Sequence, residues 1–218
     1  MDGDLYLDLA SGTVYQLGPI RVADLPAIGS VFEGGYYAGL ISHTANGVPS
    51  HALIVSPRTS GMALNLAWKT ANTTSSGTTS VFDGFANSEA MNNSSHPAAR
   101  FCRTLTINGY DDWYLPASQE WDILWRSFKP EATASGTYLG TAYGANPYAV
   151  PAGANYSDSN PALTSVLAFR ANGAETLHYF DENVSDDSFS HWTSTQAASG
   201  TAYMRMTYLG DQYAEAKT

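Results

Sequence analysis

Between Ser118 and Lys129 the chain sets Trp121, Leu124, Trp125 and Phe128 at i, i+3, i+4 and i+7. At 3.6 residues per turn those four large side chains share one face of a helix. A stripe of that size has to be buried against a second layer, so it sets the architecture around it. Lys129 suits the negative end of the helix dipole, and Pro130 ends the helix. The start is less regular. The residue three before Glu120 is Ala117, which carries no capping oxygen, so Ser118 is the expected cap.

A second stretch has the same periodicity. Pro97 suits a first helical position, and Ala98, Phe101, Cys102 and Leu105 follow at i, i+3, i+4, i+7, with Arg100 and Arg103 on the other side. A helical segment from Ser80, with Asp83 and Glu89 near its start and Ala90 and Met91 apolar, precedes it across a break at Asn92 to Pro97.

The remaining elements read as short strands. Val31 to Leu40 opens the main domain, His51-Ala52-Leu53-Ile54-Val55 is stopped by Pro57, and Leu64 to Trp68 alternates. Later strands are expected at Ser165–Phe169, Thr176–Phe180, Trp192–Thr195 and Ala202–Leu209. Thr70 to Thr79 is a polar loop. At the N-terminus, Leu5-Tyr6-Leu7 and Thr13-Val14-Tyr15 alternate around Ala10-Ser11-Gly12 as a hairpin, which is marginal alone and needs a surface to pack on. The expected organisation is a hairpin over 1–17, a linker over 18–30 and one domain over 31–218. Residues 132–160 form a long irregular excursion, a kind of loop that is usually functional or disordered. Tyr138, Tyr143, Tyr148, Pro151 and Tyr156 make it a contact-making loop whose tyrosines are either core or exposed contacts.

Composition narrows the function classes. Of 218 residues only 14% are charged, against roughly 25% in an average domain, with Lys plus Arg 10 and Asp plus Glu 20. A net charge of -10 disfavours nucleic acid and anionic membranes as partners, because both need clustered cations. No apolar run reaches the roughly 18–20 residues of a bilayer span. Met1-Asp2-Gly3-Asp4 lacks the basic and apolar regions of a signal peptide, so export by the usual route is not expected. Cys102 is the only cysteine, which excludes an intrachain disulfide and a Cys-pair zinc site.

Motifs of enzyme chemistry are missing: there is no G-x-S-x-G, H-E-x-x-H, P-loop or G-x-G-x-x-G. The five histidines do not cluster in sequence, and Cys102 on an apolar helix face reads as an inert buried thiol. Asp181, Glu182, Asp186 and Asp187 form the densest acidic group; an oxygen-rich loop of this kind can hold Ca²⁺, and a solvated acidic turn is the plainer alternative. These four are also the candidates for a glycosidase carboxylate pair, which needs a separation of about 5–9.5 Å. Tyr (14 copies) and Trp (5 copies), set among Ser, Gly and Asn, make a mixture suited to adaptable contact surfaces. Trp113, Trp121, Trp125 and Trp192 are expected in the core.

Several blocks are specific: Gly109-Tyr110-Asp111-Asp112-Trp113-Tyr114-Leu115-Pro116 followed by Glu120, and Trp192-Thr193-Ser194-Thr195 followed by Ala202-Tyr203 and Gly210-Asp211-Gln212. Asp83-Gly84-Phe85-Ala86-Asn87-Ser88-Glu89-Ala90-Met91 and His96-Pro97-Ala98-Ala99-Arg100-Phe101-Cys102-Arg103 add to them. Together, over roughly 31–217, the chain resembles the Legionella collagen-like C-terminal family, a C-type-lectin-like domain of bacterial surface adhesins and phage tail fibres. The phage versions are the more similar.

The resemblance implies an α+β, C-type-lectin-like fold of two helices, short antiparallel strands and a long irregular loop, with the N-terminal β-hairpin. It implies a non-enzymatic receptor-binding module on a virion, contacting a host surface glycan or protein, other virion proteins and itself as a homotrimer. The alternatives are a structural virion component such as a capsid decoration, or a bacterial cell-surface adhesin. Ligand contacts would come from Tyr138, Tyr143, Tyr148, Tyr156 and Asn183, on the loops 132–160 and 181–190. Trp113, Leu115, Pro116, Glu120, Trp192 and Ser194 would be structural. The family's further C-terminal strand has no counterpart here, so it is missing, replaced, or provided by another chain. The Glu-Pro-Asn and Gln-Pro-Asp triplets of calcium lectins do not occur, so calcium-dependent sugar binding is not carried over, and no other cofactor is implied. The paired cysteines of the distantly similar formylglycine-generating enzymes are lacking as well.

Overall fold

The computed structural model describes residues 6–7, 20–132, 144–157, 159–177, 190–207 and 209–218. They form a mixed α+β structure of antiparallel sheets and few helices. The first main sheet contains β3 (Val31–Phe32), β4 (Gly35–Ile41), β5 (His51–Val55) and β6 (Ala149–Val150). β5 pairs along one edge of β4, while β3 and β6 pair with opposite ends of β4 and so share its other edge. The register of β4 against β5 skips one residue between Tyr37 and Gly39. This bulge turns Ala38 fully into the core, and Gly39 takes the positive φ of 139° that follows. The second sheet is a meander of β7 (Ser190–Ala198), β8 (Thr201–Met206) and β9 (Gln212–Ala216).

Among the described residues four α-helices accompany the sheets: α1 (Arg58–Gly61), α2 (Gly84–Ala90), α3 (Pro97–Arg103) and α4 (Ser118–Phe128). Asp83 caps α2, its side chain accepting from the Ala86 amide at 2.8 Å, and Pro97 opens α3 as the periodicity predicts. α4 lies on β4 and also touches β7 and β8, so it joins the two sheets. Ile123, Leu124 and Phe128 pack with Ala38, Ile41, Leu53 and Phe169, whereas Trp121 and Trp125 form a cluster with Tyr156. Each of these large side chains contributes about 1.5–3 kcal/mol on burial. Sequence spacing predicts one buried face. The helix instead buries Ser118, Glu120, Asp122 and Ile123 as well, because its neighbours surround it.

Ser118 is not the cap of α4. The cap position is Ala117, and the Ser118 amide donates to Thr195 Oγ1 of β7 at 3.1 Å. Glu120 reaches back to the Ala117 amide at 2.7 Å and across to the Gly84 amide at 3.0 Å. The first turn is thus capped by a distant strand and by its own third residue. Gly84 is required by this close approach: a Cβ there would lie 2.3 Å from Glu120 Oε2 and 2.5 Å from the Ala117 nitrogen.

Several expected elements are corrected. Tyr6–Leu7 (β1) pairs with Ile20–Arg21 (β2), and residues 13–15, the expected second arm of the hairpin, lie outside the described residues. The expected linker therefore contains a strand and the 3₁₀ turn Val22–Asp24. Leu64 to Trp68 is not a strand: its alternation comes from Trp68 turning into the core and Leu64 facing out, with the Trp68 indole donating to Thr193 O at 2.8 Å. Ser165–Phe169 is a loop closed by the 3₁₀ turn Leu167–Phe169; of the strand expected over Thr176–Phe180, residues 178–180 lie outside the described residues and Thr176–Leu177 is irregular. The strand β9 was not expected. Its polar, alternating Gln212 to Ala216 is ordered by pairing with β8.

Just beyond β9, the Lys217 side chain is wholly buried over the Trp68 ring at 4.7 Å. Its ammonium donates to Thr73 O (2.8 Å), Ser199 O (2.8 Å) and Gln196 Oε1 (2.5 Å), filling all three of its N–H bonds. Burial lowers the Lys217 pKa to about 8. The polar loop 70–79 is thereby folded around a cation.

Candidate functional site

The irregular stretch from residue 144 is tied down before it can reach outward. Asn146 donates to Asp122 Oδ2 (2.7 Å) and Gln119 O (2.9 Å) of α4, and its own oxygen accepts from the Tyr148 and Ala149 amides. Arg126 donates to Asp122 and to the Gly144 and Ala154 carbonyls. Tyr156 donates its hydroxyl to Asp122 Oδ1, with its ring tilted on Trp125 at 5.0 Å.

Burial, then Asp122, hold the Tyr156 phenol well above its usual pKa. Tyr156 is therefore a core residue, which corrects its expected place on a contact surface. Tyr148 is half-buried, its ring stacked on Phe82 at 4.8 Å. Tyr138, Tyr143, Asn183, Asp181, Glu182, Asp186 and Asp187 lie outside the described residues. Among the described residues no group of three or more His, Cys, Asp or Glu is placed to hold a metal, and no helix is long and apolar enough to cross a membrane.

The motif residues have structural partners. The Trp113 carbonyl accepts from Arg103 (2.9 Å), Ser88 bridges the Leu115 amide and carbonyl, and Pro116 O accepts from the Ser194 amide (2.8 Å). Ser194 Oγ accepts from Asn87 at 3.1 Å, and the Trp192 indole donates to Leu66 O at 3.0 Å. These blocks therefore stitch α2, α4 and β7 together.

What they enclose is a cleft of about 440 Å³. Leu53, Ile54 and Val55 of β5 form one wall and Ser190, His191 and Trp192 of β7 another; among the described residues each strand is paired within its sheet on one side only. Met62, Leu64, Phe101, Trp113, Trp121 and Leu124 complete an apolar lining, with Arg58, Glu175 and Glu120 as its charged members. A volume of this size, apolar walls and few polar groups are the ordinary properties of a ligand site. Cys102 also lines the cleft, but burial pushes its thiol up to about 12, so the thiolate needed for nucleophilic chemistry is suppressed. Nothing in the sequence marked this cleft: Trp121 reads as core, and Leu64 reads as part of a strand.

A smaller cavity of about 170 Å³ lies between His43, His51, Asp83, Phe85, Tyr114 and Glu120. The two imidazoles stack at 4.2 Å. Burial lowers the His43 pKa, opposed by Asp83. Glu120 is wholly enclosed, and burial raises its pKa to about 8 against the pull of the Ala117 amide and the Tyr114 hydroxyl. Both Glu120 oxygens are already engaged, so its role here is to hold α2, α4 and Tyr114 together.

No family model matches the chain, and neither does any curated protein or solved structure.

Proposed function

We propose that the chain is a non-enzymatic recognition module of a phage virion that takes a host surface molecule into the apolar cleft between β5 and β7. The observation that carries this reading is the cleft itself: three indoles, Trp113, Trp121 and Trp192, around a space of about 440 Å³. Aromatic anchors in a desolvated pocket supply most of the energy of many interfaces. The Trp-Tyr-Leu-Pro and Trp-Thr-Ser-Thr blocks, which carry the resemblance to fibre domains, build the walls of this space. Repetition of a weak site along a homotrimeric fibre raises avidity through effective concentration.

The test is binding of the full chain to a glycan array and to intact bacteria, with and without chelator. Leu64→Arg sits at the cleft mouth, where the native leucine is half exposed. Loss of binding in that variant is expected. Undiminished binding would take the cleft out of the reading, and release of product from a bound polysaccharide would replace recognition by hydrolysis.

A second reading, a structural component contacting only virion proteins, is favoured by a different surface. Ile28, Val31 and Leu167 are exposed apolar side chains, and Val31 is 75% exposed. The 28–31 turn packs on Val166, with Gly29 so close that a Cβ would lie 2.6 Å from the valine. Val31→Lys separates the two readings: loss of assembly with receptor binding intact favours the structural one.

A further inference from the structure

Three dipeptides of the chain are Asn-Gly: Asn46-Gly47, Asn108-Gly109 and Asn172-Gly173. Each holds a latent reaction. The glycine amide nitrogen, unhindered by a side chain of its own, can attack the asparagine Cγ and displace ammonia. In sequence the three are equivalent, and the fold separates them. Closing the five-membered ring requires ψ of the asparagine to turn until the nitrogen faces Cγ. Contacts that fix that peptide plane therefore block the reaction.

At Asn108 the plane is fixed. Asn108 and Gly109 have φ of 54° and 90° and are the two central residues of a tight hairpin turn. Ile107 N donates to Tyr110 O at 2.9 Å and Tyr110 N to Ile107 O at 3.0 Å, and rotation breaks both bonds. The carboxamide is held as well, its Nδ2 donating to Gly34 O at 3.0 Å. At Asn172 the nucleophile is taken: φ is 64°, and the Gly173 N–H donates to Arg170 O at 2.8 Å. Gly173 also packs so tightly that a Cβ there would lie 2.3 Å from Ala168 O.

Asn46 has none of these holds. It lies in the connection between β4 and β5, exposed like Gly47, and outside the positive-φ region. Neither the Asn46 carbonyl nor the Gly47 amide is hydrogen-bonded to a described residue, so that peptide plane is open to rotation and to solvent. What is held is the side-chain oxygen. Oδ1 accepts from Val48 N at 2.9 Å and from Ser42 Oγ at 3.0 Å. The bond to Val48, two residues on, folds the carboxamide back over the Gly47 peptide. Both donors stand where negative charge gathers on Oδ1 during attack.

We propose that Asn46 is a site of spontaneous conversion to aspartate and isoaspartate, and that the fold withholds the same reaction from Asn108 and Asn172. The Gly47 nitrogen gives its proton to solvent base and bonds to Cγ, and the charge passes to Oδ1. The Cγ–Nδ2 bond then breaks, Nδ2 takes a proton and leaves as ammonia, and a cyclic imide remains. Water adds to either imide carbonyl and opens the ring, to aspartate or, with one more carbon in the main chain, to isoaspartate. The sum is amide plus water to carboxylate plus ammonium, with no change of oxidation state. A negative charge appears in the turn, and isoaspartate lengthens the connection that Ser50 closes onto Ile41 and His43. None of residues 42–50 lines the large cleft, so the modification is independent of what the cleft binds.

The test is incubation of the full chain at mildly alkaline pH in ¹⁸O-labelled water, folded and in urea, with peptide mapping by mass spectrometry. Each converted asparagine gains one labelled oxygen. In the folded chain Asn108 and Asn172 convert at least about tenfold more slowly than Asn46, the worth of one or two hydrogen bonds that must open first. In urea the three rates converge. Asn46→Ser, at an exposed position, removes most of the ammonia that the folded chain releases. Equal rates at the three sites in the folded chain, an Asn46 that converts only in urea, or undiminished ammonia from the serine variant overturns the proposal.

Discussion

Asp122 and Asn146 meet at 2.7 Å, side chain to side chain, in a fully enclosed space between helix α4 and the chain leading into β6. That contact converts part of an irregular stretch into frame. Asn146 makes four hydrogen bonds there, two as donor and two as acceptor, so its whole amide is used.

Asn146→Ala removes all four and leaves Asp122 short of a donor. The expected loss is about 2–4 kcal/mol of stability. Urea denaturation followed by tryptophan fluorescence measures it. Asn146→Asp places a second carboxylate against Asp122 and is expected to be at least as damaging.

Two buried ionisable groups give stability a particular pH dependence. Glu120 has a folded pKa of about 8 against an ordinary 4.5, so the folded state binds its proton more tightly and stability falls as pH rises from about 4.5 to 8. Lys217 has a folded pKa of about 8 against 10.5, so the unfolded state binds more protons and stability rises from pH 8 to 10.5. A minimum near pH 8 is expected in a series of melting curves. Glu120→Gln, which keeps an oxygen to accept from the Ala117 and Gly84 amides, flattens the acidic limb by a few kcal/mol on the order of the shift. An unchanged limb would contradict the buried carboxyl as its source.

Thr195 caps a helix that is distant in sequence. Thr195→Val keeps the shape and deletes the oxygen that accepts from Ser118 N and donates to Ser80 O at 2.8 Å. The expected cost is about 0.5–2 kcal/mol, the usual worth of a cap. Amide hydrogen exchange at Ser118 should accelerate more than at the far end of α4.

Cys102 should be slow to react with thiol reagents. A thiol pKa pushed from 9.0 to about 12 lowers the thiolate fraction at neutral pH by about a thousandfold. Labelling with a disulfide reagent in native buffer and again in urea compares the two states. Equal rates would show the thiol is not held in apolar surroundings.

What the sequence determined by itself is local. The 3.6-residue spacing of Trp121, Leu124, Trp125 and Phe128, the proline that opens α3 and the aspartate before α2 each act within a turn or two of helix, where neighbours along the chain are neighbours in space. The α+β class and the strands β5, β7 and β8 followed from the same short-range patterns. Tertiary structure decided the rest. Tyr156 looks like any loop tyrosine until Asp122, 34 positions away, takes its hydroxyl. β9 is polar and unremarkable until β8 pairs with it. The cleft exists because β5 and β7, strands of different sheets, line it from two sides. Burial and hydrogen-bond satisfaction are properties of three-dimensional neighbours, and one sequence carries no direct record of which residues those are.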